Sequence, residues 1–464
     1  MKDARYRTYP QGTGRAGLAA LAFCAAGVAL PSLAADLNAP PVTFAKQIAP
    51  IFQEKCEECH RPGTAAPMPL ITYDQVRPWA KAIRERVIKR EMPPWHINKN
   101  VGIRHFLNDR SLSDSEIATV VRWVDSGAPL GDPKDLPPQR QWPADNRWET
   151  TKVLGEPDFV VQSEPYTMPA HGQDVWWKPV TPLPLTEPRW VRAVEIRPGT
   201  LAGRKITHHA RADLEQADPN DLTLAKDEPR GVRPAGILME WAVGKQNDVY
   251  PEGSGKLLVP GAQIRWEIHM HAVGEDIRDH VELAVWLYPK GQEPKYPTVL
   301  TFFPATPRVK GSQLIDIPPN SVRQESGITV LKQAARLENY QPHMHLRGKA
   351  MLMEAILPDG TVQTLSYVDH FDFNWMNNYI YSPEDAPVLP KGAMIRVTAW
   401  YDNTASNKNN PDPNQWVGFG DRTVDEMGHA WVNVTYLSDQ DYQDWVAKKK
   451  NSSPSAAVNQ GPNR

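Results

Sequence analysis

The chain has 464 residues, which exceeds one compact core and suggests two or three domains. Lys+Arg (52) nearly balances Asp+Glu (54), for a formal charge of −2, and no basic stripe with interleaved aromatics occurs. Nucleic acid is therefore excluded as an expected partner. The 45 prolines disfavour long helices and point to β-structure with many turns, with 16 tryptophans available for sandwich cores.

At the amino terminus, Lys2, Arg5, Arg7 and Arg15 precede an apolar run from Ala16 to Leu33 that closes on Ser32-Leu33-Ala34-Ala35. Residues 1–35 read as a secretory signal peptide cut after Ala34 or Ala35. A membrane anchor is the competing reading, but the run is only signal-core length and ends in small residues. Phe23 stands before Cys24 where a lipoprotein site needs a small residue. The mature chain is thus expected to be exported, periplasmic or beyond, without a membrane span. Cys24 leaves with the signal, so Cys56 and Cys59 are the only cysteines left.

Residues 36–135 read as a haem module. Cys56-Glu57-Glu58-Cys59-His60 has the spacing of covalent c-type haem attachment, with both thiols on the porphyrin vinyls and His60 on the iron. A redox CxxC or half a zinc site would not need the adjoining histidine, and a zinc site would need a second cysteine pair. Three short helices are expected: Phe44 to Phe52, Asp74 to Lys89, and one N-capped by Ser113 with Glu116 at the capping-box position and a stop at Gly127. This arrangement resembles a class I monohaem cytochrome c. The resemblance implies an axial methionine in a Met-Pro-Pro loop, which Met92 matches. Met68 is the rival; loop placement favours Met92. His96 and His105 are expected at the surface or the haem edge.

From Pro129 to Trp148 the chain is rich in Pro, Asp and Gln with no apolar period, so 136–150 reads as a semi-rigid linker. Beyond it, short alternating runs such as 190–196, 281–287 and 394–400 predict antiparallel sandwich sheets, with one unit at 151–310 and a second at 311–445. The expected fold is therefore multidomain: a small all-α domain followed by two antiparallel β-sandwich, jelly-roll-like domains. Residues 446–464 are expected to be a disordered tail.

His343 and His345 share one face of an extended segment, a spacing that lets two imidazoles reach one metal ion. Gln341-Pro342-His343-Met344-His345-Leu346-Arg347-Gly348-Lys349 resembles the His-x-His element of the type II, ascorbate-dependent copper monooxygenases, which include peptidylglycine α-hydroxylating and dopamine β-monooxygenases. Gly420 to Met427 resembles the element whose methionine completes that copper site. Ile206-Thr207-His208-His209 resembles the family's paired histidines, and Trp266-Glu267-Ile268-His269 the strand bringing a third. The four elements fall in the family's order across residues 150 to 440.

The resemblance implies two coppers: an electron-transfer site of His208, His209 and His269, and a catalytic site of His343, His345 and Met427. It implies O2-dependent hydroxylation of an organic small molecule, with electrons from an external donor relayed through the haem. A non-catalytic electron-transfer cytochrome with a copper- or ligand-binding sandwich region is the alternative.

Some residues strain the pattern. Adjacent strand residues face opposite ways, so His208 and His209 can share an ion only at a bulge or bend. His271 competes with His269 and is otherwise expected behind the ligands. Gln341 stands where peptide-hydroxylating members carry a carboxylate-gripping arginine, which disfavours a peptide C-terminus as substrate. Phe371 to Trp375 with Tyr379 reads as core of the second sandwich, or as cleft lining. His171, His280, His370 and His429 are expected to be structural or exposed.

Overall fold

The computed structural model describes residues 41–62, 66, 68–141, 148–217, 233–245, 247–309 and 312–452. The expected signal peptide with Cys24, the middle of the expected linker and the end of the expected tail lie outside these residues. Strands hold 39% of the chain and helices 16%, so the protein is predominantly β. No described helix is long and apolar enough to cross a membrane.

The helical region forms where the apolar periodicity places it. Helical turns run through Phe44–Ile48 and Ala49–Lys55, through Tyr73–Val76, Arg77–Trp79 and Ala80–Ile88, and through Asp114–Asp125. Ser113 caps the last helix in a reciprocal capping box with Glu116. Phe44 packs on Tyr73 at 5.5 Å and Trp123 at 6.1 Å between ring centroids. Tyr73 and Trp123 place their polar tips on the carbonyls of Ala128 and Pro129. These residues, with Ile48, Phe52, Val76 and Val120, make a separate apolar cluster.

The β region contains a 16-stranded sheet and a four-stranded one. Through the large sheet, strands Val175–Trp177, Gln263–Met270, Thr207–Gln216, Arg233–Ala242, Tyr296–Pro304, Gly428–Leu437 and Asn339–Met344 are paired in that order. The four-stranded sheet runs Val322–Val330, Met394–Asp402, Gly348–Ile356, Val362–Val368. Two large apolar clusters, one mostly within 161–285 and one mostly beyond 303, fill the interior.

Two features run across the expected boundaries. The large sheet joins both β halves through the pairing of Tyr296–Pro304 with Gly428–Leu437. Residues 94–108, expected as part of the haem module, form a strap on the carboxy-terminal half. Ile97 bridges Val368 and Phe106 bridges Tyr381, while Asn98 N–H and Ile103 N–H donate to the carbonyls of Tyr367 and Leu365. The strap thereby covers the edge strand Val362–Val368, whose unpaired backbone groups would otherwise meet water. Gly102 (φ +68°) is required here: a Cβ would sit 2.4 Å from the Leu365 carbonyl oxygen. Residues Val42–Arg464 consequently form one unit.

Two smaller differences have plain causes. Trp148, at the end of the expected linker, is buried against Trp286, with the Arg197 guanidinium 3.6 Å over its ring, and the amides of Glu149 and Thr150 donate to the Glu195 carboxylate. The carboxy-terminal segment is helical from Asp439 to Ser452, so 446–452 is not a disordered tail; Lys295 and Tyr296 pair with Asp441 in its first turn.

Phe106 is 7% exposed and meets Trp95, Tyr379 and Tyr381 at 5.9–6.0 Å. Phe106→Ala should cost about 3–5 kcal/mol of stability, read as a lower denaturation midpoint. A change below about 1 kcal/mol would mean that the strap is not part of the core.

Candidate metal centre

His208, His209 and His269 present ligand atoms that all lie within 4.8 Å of one another. A β-bulge makes this arrangement: His209 pairs with His269 and Thr207 with Met270, leaving His208 as the extra residue in the ladder. The bulge turns two sequence neighbours to the same side. Their Nδ1 atoms are 3.3 Å apart, close to the separation of two nitrogens held about 2 Å from one ion at a tetrahedral angle. His269 Nε2 contacts Asp174 Oδ2 at 2.9 Å, and its Nδ1 is buried without a protein partner. Trp176, opposite His269 in the ladder, stacks on its ring at 4.3 Å and 9°. A carboxylate behind a ligating imidazole fixes its tautomer and raises its basicity. His271, whose N–H donates to the Ile206 carbonyl, is not in the set.

His343 and His345 lie 5.4 Å apart between ring centroids. In the same ladder His343 is opposite His429 and Met344 opposite Gly428. His343 and His429 therefore share one face of the sheet, while His345 and Met427 lie one residue past this paired stretch, outside the strands. His345 is fixed twice: its Nδ1 lies 3.1 Å from the Asp425 carbonyl, and its backbone N–H donates to Glu426 Oε2 at 2.8 Å. The other Glu426 oxygen accepts from Arg347 N–H at 2.6 Å. Glu426 and Arg347 are fully buried, and burial pushes the Glu426 carboxyl up to about 8, against the pull of those two amides and of Arg347.

His429, expected to be structural or exposed, takes the structural role. It is buried, stacks on His343 at 4.7 Å, meets Phe302 and Trp431, and places Nδ1 3.1 Å from Gln313 Nε2, while its Nε2 has no protein partner. The sequence signal was available: Met427-Gly428-His429 has the same period of two as His343 and His345. Stacked rings 23° from parallel do not aim at one ion as neighbouring ligands do, so His429 supports His343 from behind. Gln341 is fully buried and donates from Nε2 to Glu240 Oε2 at 2.8 Å, facing the interior rather than an open cleft.

The two histidine sets adjoin. The Phe373 ring stacks on His208 at 4.9 Å and meets His345 edge-on at 6.1 Å. Burial holds His208 and His345 down at about 4 and His429 at about 3, and holds His209 and His343 well below the ordinary histidine range; neighbouring imidazoles add to it. Buried, neutral imidazoles with unpartnered nitrogens are the donor set that copper, nickel or zinc accepts. The chemistry of the site fits a metal.

In the helical region, Cys56 and Cys59 form no disulfide, and Cys56 packs on the apolar cluster, where burial raises its thiol to about 12. His60 Nδ1 lies 3.0 Å from the Met68 carbonyl oxygen, which leaves Nε2 as the nitrogen for a ligand. That contact engages the backbone of Met68. Met92 is half-buried just after helix Ala80–Ile88.

No protein-family model matches the chain, and no curated protein does. Among solved structures, the major capsid protein P2 of bacteriophage PM2 is similar at 12% identity and TM-score 0.25, over 61% of this chain and 100% of that one. Allantoicase is similar at 9% and 0.18, over 56% and 77%. The VP2 subviral particle of infectious bursal disease virus is similar at 10% and 0.17, over 62% and 74%. Likeness this low carries no inference about the chain.

Asp174→Asn should weaken copper binding about 10–100-fold in a competition titration, and an unchanged affinity would contradict the role given to the carboxylate. Burial holds His208 down at about 4, so protons compete for it only near that value and below. Copper affinity should therefore change little between about pH 7 and pH 5 in a competition titration, whereas ligands with the ordinary histidine pKa would lose affinity steeply over that range. A steep loss of affinity over that range would contradict the buried, neutral state.

Proposed function

We propose that this chain is an exported haem–copper oxidoreductase that hydroxylates an organic small molecule with O2, taking electrons from an external donor through a c-type haem. The observation that carries the reading is the gathering of His208, His209 and His269 at the bulge. In this reading they hold one copper, which three imidazoles suit in either oxidation state. His343, His345 and Met427 hold the second, where a soft thioether favours the cuprous form. Cys56 and Cys59 carry the haem, with His60 and Met92 as axial ligands. The finer architecture, an all-α cytochrome c-like domain before two jelly-roll-like sandwiches, belongs to the same proposal. Its support is the separate apolar cluster of the helical region and the two clusters of the β region.

Bound copper would supply one-electron chemistry toward dioxygen. The chain's own residues do the rest. Asp174 and Trp176 orient His269; Glu426 and the Asp425 carbonyl hold His345 with Nε2 toward the site; Phe373 fills the space beside both sets. The engagement of Gln341 with Glu240 favours a substrate not recognised through a carboxylate.

A second reading, a non-catalytic electron carrier with a metal-holding β region, is favoured by one contact: Phe373 occupies the position next to both histidine sets.

Metal analysis with oxygen uptake separates them. Two coppers and one haem per chain, with substrate-dependent O2 consumption under ascorbate, support the first reading; metal content without consumption supports the second. His343→Ala should remove one of the two coppers, and retention of both overturns the assignment. Met92→Ala should abolish the weak red absorption of sulfur–iron ligation; persistence of that band points to Met68.

A further inference from the structure

One loop, 369–381, touches both the strap that follows Met92 and the two histidine sets. At one end, Asn377 Nδ2 donates to the Pro94 carbonyl at 3.0 Å, two residues from Met92. Tyr379 packs on Trp95 at 4.7 Å, and its hydroxyl accepts from His96 N–H at 3.2 Å. Arg110 lies 6.0 Å from the Trp95 ring, and its charge acts on both the Cys59 thiol and Tyr379. The strap that this end of the loop contacts continues directly from Met92.

At the other end, Phe373 stacks on His208 and meets His345. Between the two, Met376 N–H donates to the Val243 carbonyl, one residue beyond Ala242, which pairs with His209. Gly244 (φ +111°) lets the chain pass, since a Cβ there would lie 2.9 Å from Asn377 Oδ1. Asn377 and Tyr379 are 1% exposed, so this end of the path is closed to solvent.

We infer that loop 369–381 is the internal electron link between the helical module and the histidine sets, with Phe373 as the contact that joins it to both. The inference rests on the reading above, in which the module carries haem and the histidines carry copper. Coupling between distant sites needs a contiguous packed or bonded path, and electronic coupling falls off faster across empty space than through packed atoms. The step is one electron: Fe(II) becomes Fe(III), Cu(II) becomes Cu(I), no bond forms or breaks, and no proton moves. Phe373 is a positioning residue that shortens this path, not a redox centre.

The test uses the full chain, loaded with haem and copper and fully oxidised, without oxygen. A light pulse with a photoreductant reduces the haem, and its visible band reports reoxidation. Wild type should reoxidise at a rate independent of protein concentration. Phe373→Leu should slow this by about tenfold or more, with copper content, cupric spectrum and haem potential unchanged, and Phe373→Tyr should restore the rate. If Phe373→Leu alters the cupric spectrum, Asn377→Ala, which removes the bond to the Pro94 carbonyl, should show the same slowing. An unchanged rate in the variant with a native cupric spectrum overturns the inference. So does reoxidation in wild type that is absent or concentration-dependent while copper is retained, and that result leaves the metal assignments standing. A chain that holds no copper fails the proposed function itself, and this inference with it.

Discussion

One extra residue in one β-ladder brings three histidines together. With regular pairing, His208 and His209 would face opposite sides of the sheet. The bulge opposite His269 and Met270 puts all three imidazoles on one point, and the neighbouring strands then hold them. Asp174 and Trp176 act on His269, and Phe373 acts on His208. Bulges recur beside functional sites because they re-aim a side chain at little cost to the rest of the sheet.

The second constraint is continuity. The large sheet carries the bulged strand at one end and the His343–His429 pair at the other, and its curl returns the second set to the first. Two buried polar contacts cross the junction of the halves, Gln341 with Glu240 and Asn433 with Asp248, and within the first half Asp248 also pairs with Lys245 at 3.0 Å. Lys245 is 2% exposed, so removing either member of that ion pair would strand a buried charge, a loss of about 3–5 kcal/mol. The same contacts fix the spacing of the two histidine sets, which ties stability to site geometry.

Much of this was legible in the sequence wherever the signal was local. The capping box of Ser113 and Glu116, the helix stop before Met92, the alternating runs at 190–196, 281–287 and 394–400, and the period of two in His343 and His345 need only neighbouring residues to be read. What depends on distant partners was not legible. Residues 94–108 look like a proline-bounded loop, and their burial is decided by an edge strand more than 250 residues away. His429 looks like a lone histidine on an apolar strand until its partner across the ladder is known to be His343. The pairing of Tyr296–Pro304 with Gly428–Leu437, which joins the halves, leaves no mark on either segment. The helix running to Ser452 departs from its composition because Lys295 and Tyr296 anchor its first turn.

The claim that these imidazoles are metal ligands meets its most direct test in copper K-edge X-ray absorption of the reduced, copper-loaded chain. The account predicts the multiple-scattering pattern of imidazole at both coppers, together with a sulfur shell that disappears in Met427→Ile while the imidazole pattern stays. Copper surrounded by oxygen donors alone, or a sulfur shell that survives loss of Met427, would contradict it.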